Sequence, residues 1–198
     1  MLFRSIPSFT SSFRNSKNMI IGSINIQSLT SKHSSLNSFL SSTTNFGVPI
    51  QVLALQEIWQ LPHEEEISFP NFNLFHKLRS SNRGGGVGFL VSANLSCKII
   101  EDLSTFIPFS FESITIEISL NNSSKISCTS IYRSPNPPAN SSLANHSNCF
   151  LDNLDSLLHR LSLNYKESYI MLDSNIDLLI PSSYSEKYID TKIGRAHV

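Results

Sequence analysis

The sequence predicts an α/β domain, because short apolar strands that end in polar residues alternate with segments of helical spacing. The clearest strand is Tyr169-Ile170-Met171-Leu172-Asp173, an apolar run that ends in a carboxylate, and Asn175 follows two positions later. Open α/β sheets carry their chemistry at the carboxyl ends of their strands. On an extended strand Asp173 and Asn175 would face the same side. An Asp-x-Asn sequence after a strand is also typical of a turn that hydrogen-bonds its own backbone.

The composition limits the domain count and the kinds of partner. A chain of 198 residues has the size of one domain, and 40% of its residues are hydrophobic while only 15% are charged. Fifteen acidic residues balance fifteen basic ones, which argues against a broad basic surface that wraps nucleic acid. Contact with nucleic acid would then be local, through a metal and a few donors. The three cysteines are widely spaced and match neither a disulfide framework nor a zinc site.

The first part of the chain predicts a leader, two strands and a helix. Residues 1–18 contain three basic residues and no acid, which fits a disordered leader or an organelle transit peptide, and we favour the leader. Residues 19–25 form a β-rich run that ends at Asn25, residues 31–43 a weak helix, and residues 50–57 a buried strand that ends at Glu57.

Glu57 is the first acidic residue of the chain. A carboxylate is costly to bury without a partner, so an acid at the end of an apolar strand suggests a functional role. A capping or salt-bridged glutamate is the alternative. The run His63-Glu64-Glu65-Glu66 contains metal-ligand residue types, but adjacent like charges point in different directions and are typical of solvated loops.

The second part predicts more strands and a long helix. The glycines of Arg83-Gly84-Gly85-Gly86-Val87-Gly88 fit no nucleotide-binding motif and instead allow unusual backbone conformations before a strand. Residues 111–118 alternate as a half-buried strand, and residues 125–132 form the returning strand, which prolines end after Tyr132 and Arg133. Residues 148–163 have helical spacing, with Asp152 and Asp155 expected in the early turns.

Polar side chains therefore follow four predicted strands, and they supply what metal-assisted phosphodiester cleavage needs. Two acids suit a hard divalent cation, and neutral or cationic donors suit a phosphodiester. The residues at these strand ends are Asn25, Glu57, Tyr132 with Arg133, and Asp173 with Asn175.

Five motifs in order resemble the endonuclease/exonuclease/phosphatase superfamily, in particular the apurinic-endonuclease-like domain of LINE-type (non-LTR) retrotransposon polyproteins. The resemblance covers about residues 19 to 180 and implies a four-layer sandwich, in which two mixed β-sheets lie face to face with helices outside. The motifs are Ser23-Ile24-Asn25-Ile26-Gln27-Ser28-Leu29, Leu53-Ala54-Leu55-Gln56-Glu57-Ile58-Trp59, the glycine segment 83–88, Ile131-Tyr132-Arg133-Ser134-Pro135 and Leu172-Asp173-Ser174-Asn175-Ile176-Asp177.

The resemblance also implies roles for individual residues. Glu57 would bind the essential Mg²⁺ (or Mn²⁺) with help from Asn25, and Tyr132 would contact the scissile phosphate. Asp173 would orient or deprotonate the attacking water, and Asn175, with Arg133, would hold phosphate oxygens. Glu112, where many relatives also have an acid, would have a supporting role.

The chain departs from the family pattern in two places. Leu172-Asp173-Ser174-Asn175 replaces the usual Gly-Asp-Phe-Asn, and the terminal Ser-Asp-His motif, whose histidine is needed for catalysis, is absent. The six residues Ile193-Gly194-Arg195-Ala196-His197-Val198 are those that a common short-read sequencing adapter encodes. We therefore expect residues 19–192 to be a C-terminally truncated domain and residues 193–198 to be adapter translation, a hypothesis that resequencing of the transcript would test.

The leading functional hypothesis is a fragment of a DNA-nicking endonuclease from a retrotransposon, inactive or nearly so as given. Its expected partners are DNA and the reverse transcriptase region of the same polyprotein, with no membrane contact, a monomeric domain and an intracellular location in the nucleus or cytoplasm. The alternatives are a cellular repair nuclease or phosphatase of the same superfamily, and a non-catalytic nucleic-acid-binding remnant.

Overall fold

The computed structural model describes residues 19–61, 67–80, 84–120 and 124–194, with side chains described as far as residue 191. Nine strands lie in these ranges: β1 (Ile21–Asn25), β2 (Val52–Gln56), β3 (Phe72–Lys77), β4 (Val87–Ser92), β5 (Ser96–Ile99), β6 (Phe106–Ile107), β7 (Phe111–Ser119), β8 (Lys125–Tyr132) and β9 (Ser168–Asp173). The helices are α1 (Leu29–Asn45), α2 (Leu143–Asn164) and α3 (Ser183–Gly194), and a 3₁₀ turn spans Glu101–Leu103.

The strands form two mixed sheets. The first sheet has the order β1-β2-β4-β3, in which β1 and β2 are parallel and the other neighbours antiparallel. The second has the order β5-β7-β8-β9, with β6 also paired to β7, and only β8 and β9 are parallel. Each sheet therefore contains one parallel pair, and both pairs carry predicted site residues at their carboxyl ends.

The sheets pack face to face with helices outside, which confirms the four-layer sandwich. Alternate side chains of β2 show how this arises, because Val52 and Ala54 enter the core between the sheets while Leu53 and Leu55 pack under α1. On the far side, Phe150 of α2 and Tyr188 of α3 cover the second sheet. Strands buried on both faces read as continuous apolar runs, which is what the sequence of β2 shows.

Strand β7 was expected to be half-buried, and this was wrong, since its residues are buried from Phe111 to Ile118. Two of its polar residues, Ser113 and Thr115, find partners in the 3₁₀ turn and the segment after it. Ser113 Oγ donates to the carbonyl oxygen of Thr105 at 2.8 Å, and Thr115 Oγ1 to that of Leu103 at 2.7 Å. Alternation in sequence cannot separate a solvated polar face from a buried one that is hydrogen-bonded.

Two other expectations need correction. Helix α2 begins at Leu143, five residues earlier than expected, so Asp152 and Asp155 lie in its interior and its first turn contains no acid. Ser142 caps this helix instead, because its side chain accepts a hydrogen bond from the Asn145 amide at 3.1 Å.

Several sequence-based expectations lie wholly or partly outside the described residues. The leader 1–18, the acidic run within residues 62–66 and residues 195–198 fall there, although Ile193 and Gly194 form the end of α3. Among the described helices none has the length and apolar character to span a membrane.

Replacement of Leu36 by alanine tests the packing of α1 on the first sheet. Leu36 is fully buried, so the Leu36→Ala variant should lose about 2–5 kcal/mol of unfolding free energy, measured by urea denaturation. The neighbouring Ser35 is exposed, and Ser35→Ala should change stability by less than about 0.5 kcal/mol. Equal effects of the two substitutions would contradict the position of α1.

Candidate active site

The carboxyl ends of four strands meet at one edge of the sandwich. In the first sheet Asn25 of β1 lies opposite Gln56 of β2, and in the second sheet Tyr132 of β8 lies opposite Asp173 of β9. Polar contacts join the two sheets near this edge, because Gln56 Nε2 donates to Ser130 Oγ at 3.0 Å and that hydroxyl donates to a β2 carbonyl oxygen at 3.1 Å. The two sheets therefore hold their strand ends in a fixed relation.

The amide of Asn25 connects the two predicted catalytic acids. Its Nδ2 donates to Glu57 Oε1 at 2.8 Å and to Asp173 Oδ2 at 2.7 Å. Glu57 follows the first sheet and Asp173 ends the second, so one amide nitrogen bridges the sheets. The other amide atom, Asn25 Oδ1, is buried and has no hydrogen-bond partner in the described part of the chain. A buried oxygen without a donor is an available acceptor for a cation.

Two aromatic residues complete the surroundings of Glu57. Trp59 Nε1 donates to Glu57 Oε2 at 3.3 Å, and the buried Tyr132 lies close enough for the same carboxylate to act on its hydroxyl. Burial, and then the negative charge of Glu57, raises the pKa of Tyr132, so its hydroxyl stays protonated and acts as a donor. Sequence reasoning assigned no role to Trp59, although an indole N–H two residues from a candidate metal ligand was an available signal.

Unusual backbone angles aim these side chains. Glu57 and Trp59 have φ angles of 55° and 65°, in the left-handed region that costs energy for residues other than glycine. Main-chain hydrogen bonds hold them there: the main-chain carbonyl oxygen of Glu57 accepts from the Ser28 amide at 2.9 Å, and the Trp59 amide donates to the main-chain oxygen of Gly85 at 2.9 Å. Strain of this kind persists only where surrounding bonds over-determine it, and it is common at functional sites.

Glu112 supports the glycine segment, residues 83–88, through hydrogen bonds to the backbone and to Arg79. It is fully buried and accepts hydrogen bonds from Arg79 Nε at 2.6 Å, from the Gly86 amide at 2.7 Å and from the Phe109 amide at 2.7 Å. Gly84, Gly85 and Gly86 all have positive φ, as the sequence predicted. Because Gly85 holds the Trp59 amide, Glu112 is linked to the site through the backbone.

Asn175 is placed differently from the expectation. Strand β9 ends at Asp173, and Asn175 has a φ of 49°, so the two residues do not share one face of an extended strand. The amide of Asn175 is tied to the turn, since its Nδ2 donates to the carbonyl oxygen of Arg133 at 2.8 Å. Its second amide hydrogen remains for another acceptor.

Arg133 is not brought to the carboxylates, which corrects its expected contact with phosphate. The residue is 3% exposed, and its guanidinium lies against Phe150 and Tyr184 under the helices. Its Nη1 donates to the oxygens of Ser174 and Asn175 at 3.2 and 3.4 Å. Desolvation lowers its pKa. A sequence pattern gives the strand end but not the direction in which a long side chain folds back.

The donor set at Asn25 and Glu57 fits a hard divalent cation. A carboxylate and an unpartnered amide oxygen are oxygen ligands of the type that Mg²⁺ prefers, and Mg²⁺ usually keeps several water ligands. In the described ranges no three His, Cys, Asp or Glu residues form a metal-binding group. This edge therefore suits a cation bound partly by protein and partly by water or substrate.

Replacement of Gly85 by alanine tests the support of the site by the glycine segment. A Cβ at Gly85 would overlap the Arg79 guanidinium and disturb its buried ion pair with Glu112. We expect Gly85→Ala to lose about 3–5 kcal/mol of unfolding free energy, measured by chemical denaturation. Gly47 is the matched control, since it also has positive φ but open space around it, and Gly47→Ala should cost only about 1–2 kcal/mol. A cost at Gly85 no larger than at Gly47 would exclude the clash.

The buried His146 predicts how stability depends on pH. Burial, and further the Arg133 charge, lowers the pKa of His146 although its hydrogen bond to the Phe109 oxygen opposes this. The native state then binds fewer protons than the unfolded state below about pH 6.5, so stability falls as pH decreases through that value. Denaturation at pH 7.5 and 5.5 should show a smaller loss of unfolding free energy for His146→Gln than for the unaltered chain, and equal losses would contradict this role of His146.

Comparisons with known proteins support the fold and leave the sequence family open. No family model matches the chain, and no curated protein matches it. Among solved structures, the endonuclease domain of TRAS1, a telomere-specific non-LTR retrotransposon, superimposes with a TM-score of 0.64 at 12% identity, over 90% of this chain and 71% of that one.

Two further structures have the same architecture. The 3′ phosphatase NExo from Neisseria, bound to a product DNA hairpin, gives a TM-score of 0.61 at 12% identity, over 90% of this chain and 71% of its own. TDP2 of D. rerio, complexed with a single-strand DNA product, gives a TM-score of 0.54 at 13% identity, over 89% of this chain and 66% of its own. The chain therefore has the fold of the endonuclease/exonuclease/phosphatase proteins, the superfamily that its sequence motifs resemble.

Proposed function

We propose that this chain is the nuclease region of a divalent-metal-dependent phosphodiesterase that nicks DNA for a non-LTR retrotransposon. The observation that carries the proposal is the bridge from Asn25 to Glu57 and Asp173. It gathers a metal-binding donor set and a second carboxylate from two sheets at one strand-end edge. The similarity of the fold to the TRAS1 endonuclease supports this choice of reaction and of element.

In this proposal Glu57 and Asn25 hold Mg²⁺ or Mn²⁺, which supplies positive charge to a phosphate during cleavage. Asp173 lies next to Asn25 and accepts a hydrogen bond from it, so its carboxylate keeps one fixed orientation. From that position the carboxylate can accept a hydrogen bond from a water molecule and orient it for attack on phosphorus. As the new oxygen–phosphorus bond forms, the water gives up a proton to the Asp173 carboxylate, the bond from phosphorus to the leaving sugar oxygen breaks, and that oxygen takes up a proton from solvent.

Two neutral donors then contact the phosphate oxygens. The Tyr132 hydroxyl is held protonated by burial and by Glu57, and it can turn from that carboxylate to a phosphate oxygen. Asn175 uses one amide hydrogen for the Arg133 oxygen and keeps one for substrate. Neither group adds charge, so both can approach an anion without competing for the cation.

DNA as the substrate is supported by the neighbours, since NExo and TDP2 were both solved with DNA products. The balanced charge of this chain makes local contacts at the strand ends the main source of affinity. We also propose a monomeric domain, a reverse transcriptase region in the same polyprotein and an intracellular location in the nucleus or cytoplasm. A reverse transcriptase reading frame downstream of the genomic locus would support the element.

A phosphatase is the second candidate, because NExo is a 3′ phosphatase with a similar TM-score. Its reaction would use the same cation and the same water-orienting acid. Release of inorganic phosphate from a 3′-phosphorylated oligonucleotide, without nicking of intact plasmid, would favour it. A non-catalytic remnant predicts DNA binding with neither reaction.

Substitution of the two acids tests the proposed function. In a chain extended past residue 192 from the native locus, Glu57→Gln and Asp173→Asn should each lower Mg²⁺-dependent nicking of supercoiled plasmid by about 100-fold or more, because each removes a charge used in the transition state. Glu101 is an exposed acid outside the site, so Glu101→Gln serves as the control and should keep full activity.

The assay should compare the 198-residue chain with a chain extended past residue 192 from the native locus. We expect the extended chain to nick DNA and the shorter chain to be inactive or nearly so. Nicking that resists chelation of the metal, or that persists equally in both acid variants, would count against the proposal and indicate a contaminating nuclease.

A further inference from the structure

The buried Arg133 lies where a positive charge is expensive. It is 3% exposed, and in the described part of the chain its contacts are neutral: main-chain oxygens, His146, Ser147 and two aromatic rings. Burial of a charge without a counter-ion is unfavourable unless hydrogen bonds replace water. Such an arrangement needs an explanation beyond the contact with phosphate that the sequence suggested.

We propose that Arg133 is a positioning residue that fixes the turn carrying Asp173 and Asn175, and that it acts on the reaction only through this turn. Residue 133 makes four hydrogen bonds to residues 173–175. Its amide donates to the Asp173 oxygen at 3.0 Å, and its own oxygen accepts from Asn175 Nδ2 at 2.8 Å. Its guanidinium donates to the oxygens of Ser174 and Asn175.

The turn after β9 has an uncommon backbone conformation at Asn175, whose φ of 49° lies in the left-handed region, where asparagine is tolerated better than most residues. The two main-chain oxygens that Arg133 binds belong to this residue and the one before it. Without the guanidinium these two oxygens would lose their side-chain donor, and the turn that follows Asp173 would be held by fewer hydrogen bonds.

Contacts on the other side hold the guanidinium itself. Arginine can only donate, so His146 Nδ1, 3.2 Å from Arg133 Nη2, must accept. His146 Nε2 then carries the proton and donates to the Phe109 oxygen at 3.1 Å. Ser147 Oγ lies 3.5 Å from the same Nη2. Helix α2 therefore anchors the arginine, and the arginine anchors the catalytic turn.

This inference rests on the proposed function, and enzyme kinetics can separate positioning from phosphate binding. In the extended chain, Arg133→Lys keeps the charge but removes the planar set of donors that reaches both oxygens. We expect kcat to fall by about 10- to 100-fold, with the KM for DNA and the half-saturating Mg²⁺ concentration within about twofold. Combined with Asp173→Asn, the lysine variant should be no slower than Asp173→Asn alone, because residues that act as a unit are not additive.

Leu154→Ala controls for stability. Leu154 is buried on α2 in the same apolar cluster as Phe150 and has no polar group that could bind the turn. This variant should therefore lose unfolding free energy while its kcat stays unchanged. A raised KM with unchanged kcat in Arg133→Lys, or a rate loss that adds to that of Asp173→Asn, would overturn the positioning role.

Hydrogen–deuterium exchange of residues 170–177, without DNA or metal, gives a readout that does not need activity. Exchange in this segment should be faster in Arg133→Lys than in the unaltered chain, and equal to the unaltered chain in Leu154→Ala. If the extended chain without any substitution fails to cleave DNA, the proposed reaction fails, while this measurement still tests whether Arg133 fixes the turn. Unchanged exchange in Arg133→Lys would overturn that role.

Discussion

The hydrogen bonds from Asn25 to Glu57 and Asp173 are the interaction on which the site depends. The two acids are 116 residues apart along the chain, in roughly opposite halves, and belong to different sheets. Two carboxylates that share one amide nitrogen would repel each other if no donor lay between them. A neutral amide with two hydrogens on one nitrogen can serve both acceptors and still present its oxygen elsewhere, which neither a third acid nor a hydroxyl can do.

The Asn25 bridge can form only if the two sheets keep a fixed position relative to each other, and other parts of the fold provide that position. The parallel pairs β1–β2 and β8–β9 bring their carboxyl ends to the same edge. The contacts of Gln56 with Ser130 prevent one sheet from sliding over the other near the site. Apolar packing between the sheets is non-directional and would tolerate small shifts, so the polar link supplies the specificity that the core does not.

Much of this arrangement could be predicted from the sequence because apolar runs that end in polar residues are strong signals. Such runs predicted the strands that end at Asn25, Tyr132 and Asp173 and the strand that Glu57 follows, and the glycine-rich composition of residues 84–86 predicted their positive φ angles. What sequence could not give was side-chain direction beyond a strand end. Asn175 was assigned a strand geometry that ends two residues before it.

The burial of polar strand residues was missed for a related reason. The alternation of residues 111–118 predicted a half-buried strand, yet Thr115 is buried and its hydroxyl has partners. When segments distant in sequence supply hydrogen-bond partners, the polar residues of an alternating strand can be buried instead of facing solvent. Sequence position shows that a side chain is polar, but only the fold shows whether its partner is water or protein.

Arg133 and Glu112 illustrate how this fold uses buried charge. Glu112 has a cationic partner in Arg79 and two backbone amides, so its charge is compensated where it lies. Among the residues that the structure describes, the partners of Arg133 are neutral, and carbonyl oxygens of the turn after β9 accept its hydrogen bonds. These carbonyl dipoles point their negative ends at the guanidinium, and rotation of either peptide would leave a buried donor unpaired. The cost of that loss keeps the turn in one conformation, and a fixed turn is what an acid that orients water requires.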